Sequence, residues 1–148
     1  MPCQSIAFNP RIGPLLQVAV FPPGYQPAAN PAAPANVTMY TALIDTGASN
    51  TCISAKVIGD LGLSPSGKVP VGGVHGSQAT NSYQFQVGIM FIQGQIAANG
   101  VAMANAHVTL VSGVEFIPSG AFDVLLGRDI LCQGSFSMTW DGHAALCF

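Results

Sequence analysis

Apolar residues along the chain fall into short runs of three to ten positions, cut repeatedly by Gly and Pro. Val, Ile, Thr, Phe and Tyr dominate those runs, and no sustained helical periodicity appears, so the pattern reads as strands. Strands are expected at 5–8, 15–21, 37–44, 51–54, 84–92, 108–110, 122–126, 135–140 and 143–148, with a brief helical turn at 55–61 and a short helix after Gly127. Residues 68–75 and 79–87 form two extended arms around the Gly-rich tip Gly72-Gly73-Val74-His75-Gly76, which predicts a hairpin with a pliable end. Asp141-Gly142 between apolar runs is a strong hairpin signal. The Ala-, Gly- and Asn-rich stretch 94–105 is expected to be a loop. A second long loop is expected at 22–36, where five prolines rule out a helix or a central strand. What precedes it is too short to fold alone, so residues 1–148 read as a single all-β domain.

One polar residue breaks the pattern where a break is costly. The apolar run Ala42-Leu43-Ile44 leads directly into Asp45, followed by Thr46-Gly47-Ala48-Ser49-Asn50. A carboxylate at the end of a buried strand is expensive unless hydrogen bonds or a function hold it, and Gly47 permits a tight turn or a close approach. Near the other end of the chain, Leu125-Leu126-Gly127-Arg128-Asp129-Ile130-Leu131 again delivers a buried strand into a Gly and a charged pair.

Asp45-Thr46-Gly47-Ala48, the flap-like tip at 71–76 and the later Leu-Leu-Gly-Arg-Asp segment, in that order, resemble the retropepsin-like aspartic proteases. The resemblance covers roughly residue 15 to the C-terminus. It implies a closed barrel of short strands with a flap hairpin and one short helix. Only one Asp-Thr-Gly is present, so it further implies a homodimer with two Asp45 side chains on a two-fold axis. In that reading Asp45, Thr46 and Gly47 are catalytic. Ala48, Ser49 and Asn50, with Gly73, Val74, His75 and Gly76 of the flap, contact an extended peptide or protein substrate. The implied activity is endopeptidase hydrolysis by water activated between the two carboxylates, with no metal or organic cofactor. Positions that carry two acids in many retroviral enzymes are here Ser49 and Asn50, so Arg128 is expected to pair instead with Asp129, Asp123 or Asp60. The terminal hairpin 135–148 is expected at the dimer interface.

Composition changes this picture in three places. The chain carries only four Lys and Arg and six Asp and Glu, for a net charge of −2, while 49% of its residues are apolar. Such scarcity of charge favours self-association and makes nucleic acid a poor partner. No apolar run approaches the ~20 residues of a membrane span, and the N-terminus lacks the basic start of a secretory signal, so a cytoplasmic location and no membrane partner are expected. On that ground Cys3, Cys52, Cys132 and Cys147, which lack metal-ligand spacing, are expected as free thiols, and the sequon at Asn36 carries no weight. His107 and His143 read as ordinary strand residues, and Trp140 as core or interface. No Gly-x-Ser-x-Gly element supports a serine nucleophile. Two rivals to the protease reading stand: the same dimeric fold without catalysis, serving as a scaffold or peptide-binding module, and an unrelated β-rich assembly or carbohydrate-binding protein.

Overall fold

The computed structural model describes residues 1–26, 37–73, 76–96, 102–118 and 120–148. The strands are β1 (Cys3–Ala7), β2 (Leu15–Phe21), β3 (Met39–Ile44), β4 (Cys52–Ser54), β5 (Gly67–Gly73), β6 (Gly76–Ile96), β7 (Ala102–Phe116), β8 (Val124–Leu126), β9 (Ser135–Met138) and β10 (His143–Cys147); the helices are α1 (Ala55–Leu61) and α2 (Arg128–Leu131). Six strands close a barrel in the order β2-β3-β8-β4-β7-β6, and β2 pairs back onto β6. The flap arm β5 hangs on the outside of β6. A second sheet, β1-β10-β9, joins the two ends of the chain.

Alternation along the strands fills the barrel. Tyr83, Phe85, Val87, Ile89 and Phe91 of β6 are all buried, as are Val18, Ala42, Ile44, Ile53, Val124 and Leu126 from β2, β3, β4 and β8, so alternate side chains point inward. Helix α1 adds Val57 to this core; Ser54 caps its start by accepting from the Val57 N–H, and Gly62 ends it in the left-handed region at φ 60°. The flap arms, by contrast, are exposed along 67–72 and 76–79. They leave the barrel as a two-stranded ribbon in register from Gly67↔Ser82 to Gly73↔Gly76.

Two expectations are overturned. Of the expected loop 94–105, residues 94–96 and 102–105 are strand instead: β6 and β7 form one antiparallel ladder from Ser82↔Val114 to Ile96↔Ala102, with a register shift between Ile92 and Ile96, and residues 97–101 lie outside the described residues. Pairing to an established partner outweighs the weak strand preference of Ala, Gly and Asn, because strand propensity is mostly context. Likewise 108–110 is the middle of a 15-residue strand. The free-thiol expectation fails for two of the four cysteines. The antiparallel β1–β10 register sets Cys3 opposite Cys147, and they form a disulfide across a sequence separation of 144. Nothing in their spacing reveals this, because the sheet makes them neighbours. Cys52 and Cys132 are free. Of the Pro-rich stretch 22–36, residues 27–36 lie outside the described residues.

The cross-link yields a prediction. Cys3→Ser/Cys147→Ser should lower stability by about 2–5 kcal/mol, since it releases a very long loop in the unfolded chain. Urea unfolding checks this, and reductant should bring the unaltered protein to the same midpoint. An unchanged midpoint in both would mean that the bond constrains nothing.

Candidate active site

Strand order explains how Asp45 is presented. β8 lies between β3, which it pairs in parallel, and β4, which it pairs antiparallel. The chain leaving β3 at Ile44 must therefore pass over the end of β8 to reach β4, and Asp45–Thr51 makes that passage directly above Gly127. A Cβ on Gly127 would sit 2.5 Å from the Asn50 carbonyl carbon and 2.6 Å from its oxygen. Its φ of −90° is ordinary, so glycine is required here for space rather than for backbone freedom.

The segment below grips the passage from several sides. The Asp45 N–H donates to the Leu126 carbonyl at 3.0 Å. The Arg128 and Asp129 N–H groups, which open α2 and have no partner within that helix, donate to the Ala48 and Ser49 carbonyls at 3.0 and 3.2 Å. Thr51 is fully buried. Its hydroxyl donates to Asp129 Oδ1 at 2.8 Å and accepts from the Gly127 N–H at 3.1 Å, and its own N–H donates to Asp129 Oδ2 at 2.9 Å. Asp129 Oδ1 also accepts from the Ile130 N–H at 3.0 Å. Both oxygens of that carboxylate are thereby committed to fixing the loop.

Above this base, Asp45 is half-buried and Thr46 and Gly47 are exposed. Asp45 Oδ1 accepts from the Gly47 N–H at 2.8 Å. A Cβ on Gly47 would come within 3.1 Å of that oxygen, so the glycine allows the carboxylate to approach the backbone. Beside them lies a cleft of ≈ 280 Å³. Phe8, Pro10, Gly13 and Pro14 form one wall, Ile44, Asp45 and Thr46 the floor, and Phe136, Met138, Thr139 and Trp140 of the terminal hairpin the other wall. Trp140 is 93% exposed and Met138 57%.

The expected site residues are distributed as follows. Asp45 and Thr46 line the cleft, Gly47 is tied to Asp45 by its N–H without lining it, and Ala48, Ser49 and Asn50 follow on the same loop and do not line it. Gly73 and Gly76 end the flap arms, paired with each other across the tip, and Val74 and His75 lie outside the described residues. Arg128 corrects an expectation: it joins none of the three acids. Its Nη1 donates to the Thr46 carbonyl at 3.3 Å. Asp129 is taken by Thr51, Asp123 accepts from the Ser54 hydroxyl at 3.0 Å, and Asp60 pairs with Lys56 at 2.9 Å on the surface. The arginine lacks a carboxylate to face because Ser49 and Asn50 occupy the loop, so it hydrogen-bonds the loop backbone instead.

Sequence reasoning missed Thr51 and Gly113. Thr51 reads only as the start of a strand. A Cβ on Gly113 would lie 2.3 Å from the Thr51 carbonyl oxygen and 2.7 Å from the Phe85 ring, so this glycine of β7 lets the barrel wall close against the loop's far end. An isolated Gly inside an otherwise β-branched run is the signal that points to such an approach.

Comparison with known proteins agrees with this architecture. The family model described as "gag-polyprotein putative aspartyl protease" matches residues 34–133, and the chain belongs to that family. The crystal structure of a retropepsin-like aspartic protease from Rickettsia conorii superposes with a TM-score of 0.56 over 97% of this chain and 89% of that one, at 16% sequence identity. At that identity the match speaks for the fold. No curated protein is recognisably similar in sequence to the chain. Among the described residues, no cluster of His, Cys, Asp and Glu is arranged to hold a metal ion, and no helix is long and apolar enough to cross a membrane.

Two predictions follow from the base of the loop. Thr51→Val keeps the shape but leaves the Gly127 N–H without its acceptor and removes one of the two donors on Asp129 Oδ1. It should cost about 2–4 kcal/mol, measured by denaturant unfolding; a loss below about 0.5 kcal/mol would mean that the lock is dispensable. The second concerns Cys52, beside the same carboxylate. Burial, reinforced by Asp129 and more weakly by Asp45, pushes its thiol up to about 11. At pH 8 only about one Cys52 in a thousand is then ionised, so iodoacetamide should label exposed Cys132 quickly and Cys52 hardly at all. Equal labelling rates, followed by peptide mass spectrometry, would contradict this.

Proposed function

We propose that the chain is an aspartic endopeptidase that acts as a homodimer, with one Asp45 from each copy forming the catalytic pair. The observation that carries this reading is Asp45 itself: a half-buried carboxylate at a cleft, on a loop that a buried hydrogen-bond network holds rigid. Rigid placement of that kind is what a reacting group needs and a solvated surface acid does not.

A single chain supplies one such carboxylate, and the surface around it suits a second copy. In the β9–β10 ladder Thr139 donates to the His143 carbonyl at 2.8 Å. By antiparallel alternation the backbone groups of Phe136 and Met138 then face outward on the open edge of β9. Exposed Met138 and Trp140 sit beside that edge, an apolar surface of the kind that association covers. A two-fold axis near Thr46 would bring the two loops together, with the exposed Thr46 hydroxyls available to bond across the interface.

The chemistry follows from two like charges at close range. Two adjacent carboxylates do not both ionise readily, so the pair holds one proton over an intermediate pH range, and its apparent pKa values belong to the pair. The ionised Asp45 takes a proton from a bound water as it attacks the peptide carbonyl. The protonated Asp45 of the partner polarises the carbonyl oxygen and then protonates the departing amine. The Gly47 N–H keeps each carboxylate oriented. Ala48, Ser49 and Asn50, which do not line the cleft of a single chain, would meet the substrate backbone only in the dimer, and the flap tip Gly73, Val74, His75 and Gly76 closes over it as an added strand would.

The test is cleavage of a mixed peptide library from about pH 3 to 7, with Asp45→Asn alongside and mass spectrometry of the products. The unaltered protein should show a bell-shaped acidic profile, and Asp45→Asn should lose at least about 10³-fold in rate while sedimenting as the same dimer. Equal cleavage by both proteins, or a strict monomer that cleaves, would sink the shared-pair mechanism.

A further inference from the structure

A second groove, which shares no lining residue with the Asp45 cleft, lies between the two sheets. Its ≈ 340 Å³ is lined by two strands alone: Gln4, Ser5, Ile6 and Ala7 of β1, and Leu15, Leu16 and Gln17 of β2. Both strands turn an unpaired edge toward it. Among the described residues, β1 pairs with β10 and with no other strand, and β2 pairs with β6 only from Val18 onward.

The direction of each backbone group follows from the bonds that flank the ladders. Phe148 donates to the Pro2 carbonyl and Phe8 to the Gly142 carbonyl, so the even-numbered residues of β1 are the ones bonded to β10. The N–H and C=O groups of Cys3, Ser5 and Ala7 therefore face away from β10. On the other wall, Ile44 donates to the Pro14 carbonyl, so even-numbered residues of β2 bond to β3. Odd-numbered Ala19 and Phe21 lie opposite Gly88 and Gln86 of β6, while Leu15 and Gln17, on the same edge, have no strand opposite them among the described residues. Two rows of outward donors and acceptors, at the roughly 7 Å repeat of alternate strand residues, thus border one groove. The lining contains no charged side chain. Beside it, the side-chain carbonyl oxygen of Gln4 is buried with no hydrogen-bond partner among the described residues.

We propose that this groove is a docking site for an extended polypeptide segment of a partner protein, which pairs with β1 and β2 as an added strand. An extended chain carries N–H and C=O groups at the same two-residue repeat as the two walls. The absence of charge and the presence of Gln4, Ser5 and Gln17 suit a neutral polar peptide. The groove and the Asp45 cleft have no lining residue in common, and the groove would stand even for a chain that cleaves nothing.

The experiment uses the full chain with Asp45→Asn, so that no probe is consumed, and a capped Thr- and Gln-rich peptide of about ten residues. Amide hydrogen exchange is followed by NMR. In the free protein the Gln4 and Ile6 N–H groups should be protected, and those of Ser5, Ala7, Leu15 and Gln17 open. Saturating peptide should protect these four by at least about tenfold. The same peptide with proline at every second position should protect none. Ser5→Pro removes one outward donor without touching the β10 ladder. It should weaken peptide binding at least about tenfold while leaving the thermal midpoint unchanged; should that variant fail to fold, the exchange result decides alone. Three outcomes would overturn the proposal. The four amides could stay open at saturation, exchange changes could be confined to the Asp45 cleft, or the four could already be protected in free protein in proportion to its concentration. The last would assign the edge to a second copy of this chain.

Discussion

The passage of residues 45–51 over Gly127 is the constraint on which the rest of the molecule depends. Once β8 is inserted between β3 and β4, the loop joining those strands has only one route, and that route lies against the backbone of the segment beneath it. The crossing is close enough that a single methyl group at position 127 would collide with the Asn50 carbonyl. Peptide groups brought so near must be satisfied locally, because water is excluded. Thr51 and Asp129 do this from the sides, and the opening N–H groups of α2 do it from below. Rigidity at Asp45 is thus a by-product of topology.

The same arrangement separates two kinds of acid in one small region. Asp129 is saturated by donors and serves as a structural fastener, while Asp45 has one oxygen held by Gly47 and stands at an open cleft. The two residues are chemically identical, and the number of backbone groups converging on each distinguishes them. A carboxylate with donors on both oxygens is committed to the backbone around it, and one with a single tether has an oxygen left to present to a ligand.

Much of this was legible in the sequence, and the reasons are local. The Asp45-Thr46-Gly47 loop, the Leu125-Leu126-Gly127 crossing strand, the flap arms and the Asp141-Gly142 hairpin each carry their signal within a few consecutive residues. β2 and α1 fall at the expected positions for the same reason. What could not be read depends on partners far apart in the chain. The cross-link between Cys3 and Cys147, the hydroxyl of Thr51 meeting Asp129 and the backbone contact of Arg128 with Thr46 all arise from strand pairing. The strand residues 94–96 and 102–105, expected as loop, have the opposite origin: residues with weak strand preference were carried into a ladder that stronger neighbours had begun. The three acids offered to Arg128 were each within plausible reach in sequence terms, and geometry gave them other neighbours.

The bond between the first and last strands has one more consequence. With Cys3 joined to Cys147, nearly the whole backbone becomes a single covalent ring closed through sulfur. A cut at any one peptide bond between them opens that ring without releasing a piece. For a chain that belongs to a family of peptide-bond hydrolases, and that carries a long proline-rich stretch after β2, this bears on its survival. A nicked molecule stays one molecule, its fragments held at their original mutual distance and in position to remain folded, until a reductant or a second cut parts them.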